Sequence, residues 1–350
     1  MWSIDLGTLD DLELGAAMLG SGGGGDTRLF RMLAEHSLDK HGPVTVLEPD
    51  EAPDGGMVVH VGLVGALTAF AEKPMGGQEF NLVFEEICSL GTGTDQPNLV
   101  ASYEGAGANA LIGVMVASQT GTALVDVSGM GRALPLLDQT SYAAAGLSIS
   151  PFALRDSGGN AMRISSETPV EAERILRANT ALMGGWAAFA GYRLSVPQVR
   201  QYGVQQSLRR AVEIGAALAG CAEGGLAEGL SRAGARHLGS GRIIDVEWQH
   251  NAFSRGSFTV RIPADGRQLR IEMQSEFLVA IDDGAPVAST PDIICILDQR
   301  SMKPFQAERV ARGSEVHVIS FEAPRRWLDS DALPLVCPEA FGYNMSWVQP

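Results

Sequence analysis

Gly20-Ser21-Gly22-Gly23-Gly24-Gly25-Asp26 places four consecutive glycines ahead of a carboxylate, and the reading of this stretch decides how the rest of the chain is arranged. Each glycine raises the entropy cost of folding, so a run of them calls for tight backbone geometry or close approach of a ligand. Gly20, Gly22 and Gly25 satisfy G-x-G-x-x-G, which would indicate a dinucleotide site if the loop followed a strand. Residues 8–19 argue against that. They open with Thr8 and Asp11 in a capping-box pattern and carry Leu9, Leu12, Ala16 and Leu19 at helical spacing. The order is therefore helix, glycine loop, helix. Asp26 is expected to cap a helix over residues 27–36, leaving N–H groups of Gly22, Gly23, Gly24 and Gly25 to receive an anion or a polarised carbonyl. A tight helix-to-helix turn without a ligand is the alternative.

The chain has 350 residues, 45% of them hydrophobic and 19% charged, enough for two ordinary domains. Its 42 glycines exceed the usual ~7% and favour tight turns over a helical bundle. The net charge of −15 excludes general attraction to nucleic acid or anionic membrane. Cys88, Cys221, Cys295 and Cys337 show no C-x-x-C spacing. There is no basic, then apolar, leader at the start and no apolar run of about 18 residues. A cytoplasmic protein is expected.

Residues 43–48 and 57–64 read as strands buried on both faces, which suggests a parallel sheet. Glu48 follows Gly25 at a distance suited to a ribose-binding acid, but no strand precedes the glycines. A helix over 81–90 is expected to stop at Gly91, and 98–102 reads as a strand. Tyr103-Glu104-Gly105-Ala106-Gly107-Ala108-Asn109 then opens an apolar helix over 110–120. A carboxylate at the carboxyl end of a strand sits where ligands bind in open α/β sheets. Glu104 could serve as a base, a metal ligand or an acceptor for a substrate N–H, or be a solvated loop acid. Gly105, Gly107 and Asn109 would complete that loop.

A third strand over 122–127 carries Asp126 into Ser128-Gly129-Met130-Gly131-Arg132-Ala133-Leu134-Pro135. Beside Gly131, Arg132 suits either a substrate carboxylate or an ion pair that holds the loops together. An extended segment over 146–154 leads to Asp156 in a further glycine-containing loop. Thr168-Pro169-Val170-Glu171 starts a helix to about Met183, and Pro197 starts another ending near Gly220, with Arg209, Arg210 and Glu213 on a solvated face. From 239 to 329 the pattern changes to strands, with a hairpin turn at Asp265-Gly266 and Trp248 and Phe253 as expected core. The fold class expected is a layered α/β/α domain with a mostly parallel sheet over 1–238, rejoined by 330–350, and a β-barrel or sandwich over 239–329.

The glycine loop, Glu104 to Asn109 and Asp126 to Pro135 come with Met183-Gly184-Gly185, Pro291-Asp292-Ile293-Ile294 and Phe341-Gly342-Tyr343. In that order these motifs resemble the DUF917 family, also called S-methyl thiohydantoin desulfurase-like. The resemblance implies an α/β/α layered domain with a β-rich domain, hydrolytic removal of sulfur from a thiohydantoin-type ring, and association with hydantoinase-type proteins. The chain departs from the family pattern at Leu136, where Glu is usual, and at Ser128, where a second acid is usual. Ser275-Glu276-Phe277-Leu278 stands in place of Asn-Glu-Asn-Leu.

Six histidines, at 36, 41, 60, 237, 250 and 317, include no His-x-His, which argues against a two-metal hydantoinase centre. A single divalent ion on Asp26, Glu104, Asp126 or His60 is the metal arrangement left open, and no nucleotide is expected. No cysteine has a basic neighbour and no G-x-S-x-G elbow is present. The chemistry expected is hydrolysis of a small heterocycle by water activated on Glu104 or Asp126. The glycine-loop amides would stabilise developing charge, and Arg132 would hold a carboxylate or position the loops. A homo-oligomer is expected. Two rivals are an enzyme using the same loops for a nucleotide or acyl phosphate, and a non-catalytic partner of a hydantoinase-type complex.

Overall fold

Alternating apolar residues build a sheet with two covered faces. In the computed structural model, which describes residues 1–66, 69, 73–90, 98–221, 225–249 and 255–349, an eight-stranded sheet is the first of two large sheets. Its order is β1 (Trp2–Ile4), β2 (Val44–Leu47), β5 (Leu124–Val125), β4 (Asn98–Ser102), β3 (Met57–Gly65), β9 (Trp186–Ser195), β7 (Phe152–Arg155) and β8 (Ala161–Ile164). Val59, Val61, Val100 and Leu124 enter one core, and Val58, Leu99, Ala101 and Val125 the other, as the two-residue period of a strand requires. On the first face lie α1 (Leu9–Leu19), α2 (Thr27–His41), α3 (Gln78–Cys88) and α4 (Gly107–Thr120); α6 (Pro169–Leu182) and α7 (Val196–Tyr202) cover the second.

The sheet is mixed rather than mostly parallel. Three of its seven strand pairs, β2–β5, β5–β4 and β4–β3, are parallel; the other four are antiparallel. The difference arises at β9, whose Trp186-Ala187-Ala188-Phe189-Ala190-Gly191 is buried throughout and pairs antiparallel with β3. Such a run has no alternation that would mark it as a strand.

Antiparallel strands make the second sheet, in the order β15 (Ala285–Ser289), β14 (Glu276–Asp282), β13 (Gln268–Gln274), β12 (Arg255–Arg261), β11 (Ala235–Gln249), β17 (Glu315–Phe321) and β16 (Ile293–Asp298). It curls into a half-barrel, so that β14 and β16 approach each other. Gly266, at φ 78°, makes the expected turn between β12 and β13. Trp248 is only partly buried against this sheet's core; Phe253, His250 and the helix stop expected at Gly91 lie outside the described residues.

The long helix expected after Pro197 is two helices, α7 and α8 (Ser207–Ala219). Between them β10 (Val204–Gln205) pairs with β6 (Val127–Ser128), and Gln206 turns the chain at φ 56°. α8 crosses α1 at close range: a Cβ on Gly15 would lie 1.7 Å from the Ala211 carbonyl oxygen, and one on Gly215 1.8 Å from that of Asp11. Arg209 is not on a solvated face either, because it pairs with Glu48 at 2.6 Å and lies over the Trp2 ring. That pair also occupies the acid whose spacing suited a ribose. No described helix is long and apolar enough to cross a membrane.

Candidate functional site

The glycine loop follows α1 directly, as its sequence requires, and ties the two sheets together. Thr8 makes no side-chain cap to α1; its hydroxyl and N–H are engaged with Asp5 instead. Asp26 does cap α2, accepting from the Arg28 N–H at 3.0 Å. Within the loop, Ser21 O accepts from Phe277 N–H at 2.7 Å, Gly22 O from Ala307 N–H at 2.8 Å and Gly24 O from Ala108 N–H at 2.7 Å. The glycines are explained by what presses on them. A Cβ on Gly22 would strike the Phe277 ring, and a Cβ on Gly23 would lie 2.4 Å from Glu276 Oε1.

That contact identifies a residue missing from the sequence-based candidates. Glu276 begins β14 and is 3% exposed; burial pushes its carboxyl up to about 8 against the opposing field of Arg132. Glu104, at the end of β4, is also buried, and burial pushes it up to about 8, with the Asn109 hydrogen bond opposing and Glu276 adding. Asn109 Oδ1 accepts from Leu63 N–H at 2.6 Å, which aims Nδ2 at Glu104 Oε2, 2.8 Å away. Arg132 is wholly buried. Its Nη1 donates to the carbonyls of Pro291 and Asp292, both at 2.9 Å, and to Thr290 Oγ1, while Nε donates to Ala133 O. Arg132 therefore holds the Pro291-Asp292 turn and, among the described residues, faces no carboxylate closely enough for an ion pair.

Glu104, Glu276 and Arg132 form one electrostatic group in which each neighbour alters the next. Two buried polar atoms in it, Arg132 Nη2 and Glu276 Oε2, have no hydrogen-bond partner among the described residues. Buried polar groups are normally satisfied, so this pair marks a place where a ligand or water belongs. Gly131 joins the group through its N–H, which donates to Glu104 O at 2.8 Å, and Gly105 packs against Ser128 and Ser207. Gly107 lies against Gly24, where either Cβ would meet backbone.

Asp126 and Asp156 stand elsewhere. Both carboxylate oxygens of Asp126 accept from the start of α8, from Leu208 N–H at 2.7 Å and Arg209 N–H at 3.0 Å. Burial still raises its carboxyl to about 7. Asp156 accepts from Gly158 and Asn160 and pairs with Lys73 at 2.9 Å. Burial opposes its ionisation, but the bonds from Asn160 and Lys73 prevail and lower it to about 2. His60 is buried with Nδ1 against Tyr192 O and Nε2 against the Tyr142 hydroxyl, and burial lowers it to about 4. Asp26, Glu104, Asp126 and His60 thus have separate partners, and no group of three or more His, Cys, Asp or Glu suited to a metal ion occurs among the described residues. Burial also pushes the thiols of Cys88 and Cys295 up to about 12, leaving neither a ready nucleophile.

On the outer side of the loop is a cavity of about 870 Å³ between α1, α2, the end of α8 and residues 298–309. Gly23, Gly25 and Asp26 line it; Glu276 lies behind Gly23 and does not. A cavity of this size falls in the range that takes small molecules.

These features define an α/β protein with a carboxyl pair closed behind a glycine loop. The chain belongs to the S-Me-THD-like family, whose N-terminal domain matches residues 7–166 and whose C-terminal domain matches residues 167–349. It shares its fold with a Chromobacterium violaceum protein solved by X-ray crystallography, at a TM-score of 0.78 and 22% identity over 99% of each chain. No curated protein matches the chain.

Proposed function

We propose that the protein hydrolyses a small thiohydantoin-type heterocycle, releasing its sulfur substituent as a thiol. Family membership supports a thiohydantoin desulfurase-like role. The observation that carries the chemistry is the buried Glu104–Glu276 pair beside Arg132, with two unsatisfied polar atoms, behind a loop that lines a cavity. Two like charges in one buried site resist ionising together, so the pair titrates as a unit and can hold one proton and one negative charge near neutrality.

Glu104 is the base in this reading, because Asn109 favours its charged form. Water attacks the ring carbon bearing the methylthio group, and one water proton passes through Glu104 to the ring nitrogen. The carbon–sulfur bond then breaks as the carbonyl forms. The remaining water proton leaves with sulfur as methanethiol, relayed by Glu276. Arg132 keeps negative charge tolerable in the buried site, and the glycine-loop amides face the charge that develops on the ring. The loop must shift for substrate to pass from the cavity to Glu276, which the side-chain-free Gly22, Gly23, Gly24 and Gly25 permit. Asp126, held by the start of α8, supports the scaffold and does no proton transfer.

The test is incubation of the purified protein with S-methyl thiohydantoins in ¹⁸O-labelled water. Thiol and hydantoin in equal amounts, with the label in the new carbonyl, are expected. Absence of thiol across the panel, or thiol release without label, would contradict the proposal.

A further inference from the structure

The cavity outside the glycine loop is much larger than a five-membered ring with a methylthio group requires, and its charges are unevenly answered. Of its acids, Asp10 and Glu13 face Arg31, at 2.6 and 3.7 Å. Asp298 accepts the N–H groups of Arg300 and Ser301, and Asp26 is engaged in capping α2. The cations are less occupied. Among the described residues the Arg28 side chain has neither a hydrogen bond nor an ion pair. The Lys303 ammonium likewise has none, although its charge is felt by Glu13. Among the described residues the Arg309 side chain reaches only Asp26, at 3.5 Å. Unanswered positive charge around a cavity is unexpected in a chain of net charge −15. Both signs of charge line the cleft, but the unpaired charges among them are cations, and beside partly apolar walls, here Leu14 and Phe305, they attract an anionic group. The start of α2 adds the positive end of its dipole on the same side.

We infer that this cavity selects substrates whose ring carries an anionic substituent, a carboxylate on a short aliphatic arm, bound by Arg28, Lys303 and Arg309. The inference rests on reading the adjoining carboxyl group as the reaction centre. The arm lies in the cavity while the ring approaches Gly23, so the cations act on substrate choice and not on the proton transfers. An arginine offers a planar fork to the carboxylate and the lysine a mobile point charge.

The test compares binding of a hydantoin bearing a carboxymethyl arm on the ring carbon with binding of its primary amide, by calorimetry at low salt. The acid is expected to bind wild-type protein at least about tenfold more tightly than the amide, which corresponds to about 1.4 kcal/mol. In the R28Q/K303Q double variant the preference is expected to fall to within about twofold, with thermal unfolding showing that both proteins are folded. Arg28 and Lys303 are exposed, so the substitutions leave the core untouched. Equal binding of acid and amide by the wild type, no binding of either, or an undiminished preference in the double variant would each overturn the inference. Binding is read without turnover, so failure of thiol release would count against the reaction alone.

Discussion

Replacing Glu104 by Gln is expected to lower turnover by about 10²–10⁴-fold, the usual contribution of a positioned acid or base, while the protein stays folded. Glutamine has nearly the same shape and still accepts the Asn109 hydrogen bond, so the loss would report the proton and not the packing. The same substitution has a second consequence, of opposite sign, for stability. Burial raises the Glu104 carboxyl from 4.5 to about 8, so the folded state retains a proton that the unfolded chain has already released. Glu104 therefore contributes its full stability below about pH 4.5, and that contribution declines as the pH rises towards 8. Each tenfold gain in proton affinity on folding is worth about 1.4 kcal/mol, so roughly 5 kcal/mol is an upper bound for the one site, and coupling to Glu276 keeps the real contribution below it. Gln stays neutral. E104Q is expected to melt above wild type at pH 8.5, with the gap closing by pH 5; urea or thermal unfolding at both pH values measures it. A gap that does not change with pH would mean that folding does not raise the Glu104 carboxyl.

Arg132→Ala is expected to destabilise the protein by about 3–5 kcal/mol, the cost of removing one partner from a buried charged group. It would leave the carbonyls of Ala133, Pro291 and Asp292 without their donor and deprive Glu276 of its nearby cation. Each buried acceptor left unsatisfied adds about 1–3 kcal/mol before relaxation. Denaturant unfolding measures the effect, and a loss below about 1 kcal/mol would show that the turn holds itself together. Arg132→Lys is expected to recover little, because one ammonium cannot reproduce the bonds made from Nε and Nη1.

What the sequence made legible was local. Asp26 and Thr168 cap their helices because a short oxygen-bearing side chain ahead of a helical run has one favourable use there. The strands at 57–64 and 98–102 were readable from their apolar content, and Asp265-Gly266 from its turn chemistry. β9 was not, because a strand buried on both faces and rich in alanine has no distinguishing period. The glycine loop pointed to a special site, but part of its glycine content answers to packing against Phe277, Glu276 and Gly107, contacts made far along the chain. Glu276 was missed for the same reason. It is brought against the glycine loop at Gly23 from far along the chain, where its charge is felt by Glu104, and its one local sign was the glutamate retained in Ser275-Glu276-Phe277-Leu278 where the residues around it depart from the family pattern. Asp126 looked like Glu104 in sequence, an acid at a strand end, and differs in its distant partners: β10 and Gln206 bring the start of α8 onto its carboxylate.

Whether Glu104 and Glu276 act as a buried acid–base pair is read from the pH dependence of kcat/KM for thiol release. A rising limb with an apparent pKa well above the ordinary carboxylate range, near 8, is expected in the wild type and lost in E104Q, whereas E276Q is expected to keep that limb at a lower pKa and a lower rate. A rate that is flat from pH 6 to 9, or a limb near pH 4–5, would contradict it.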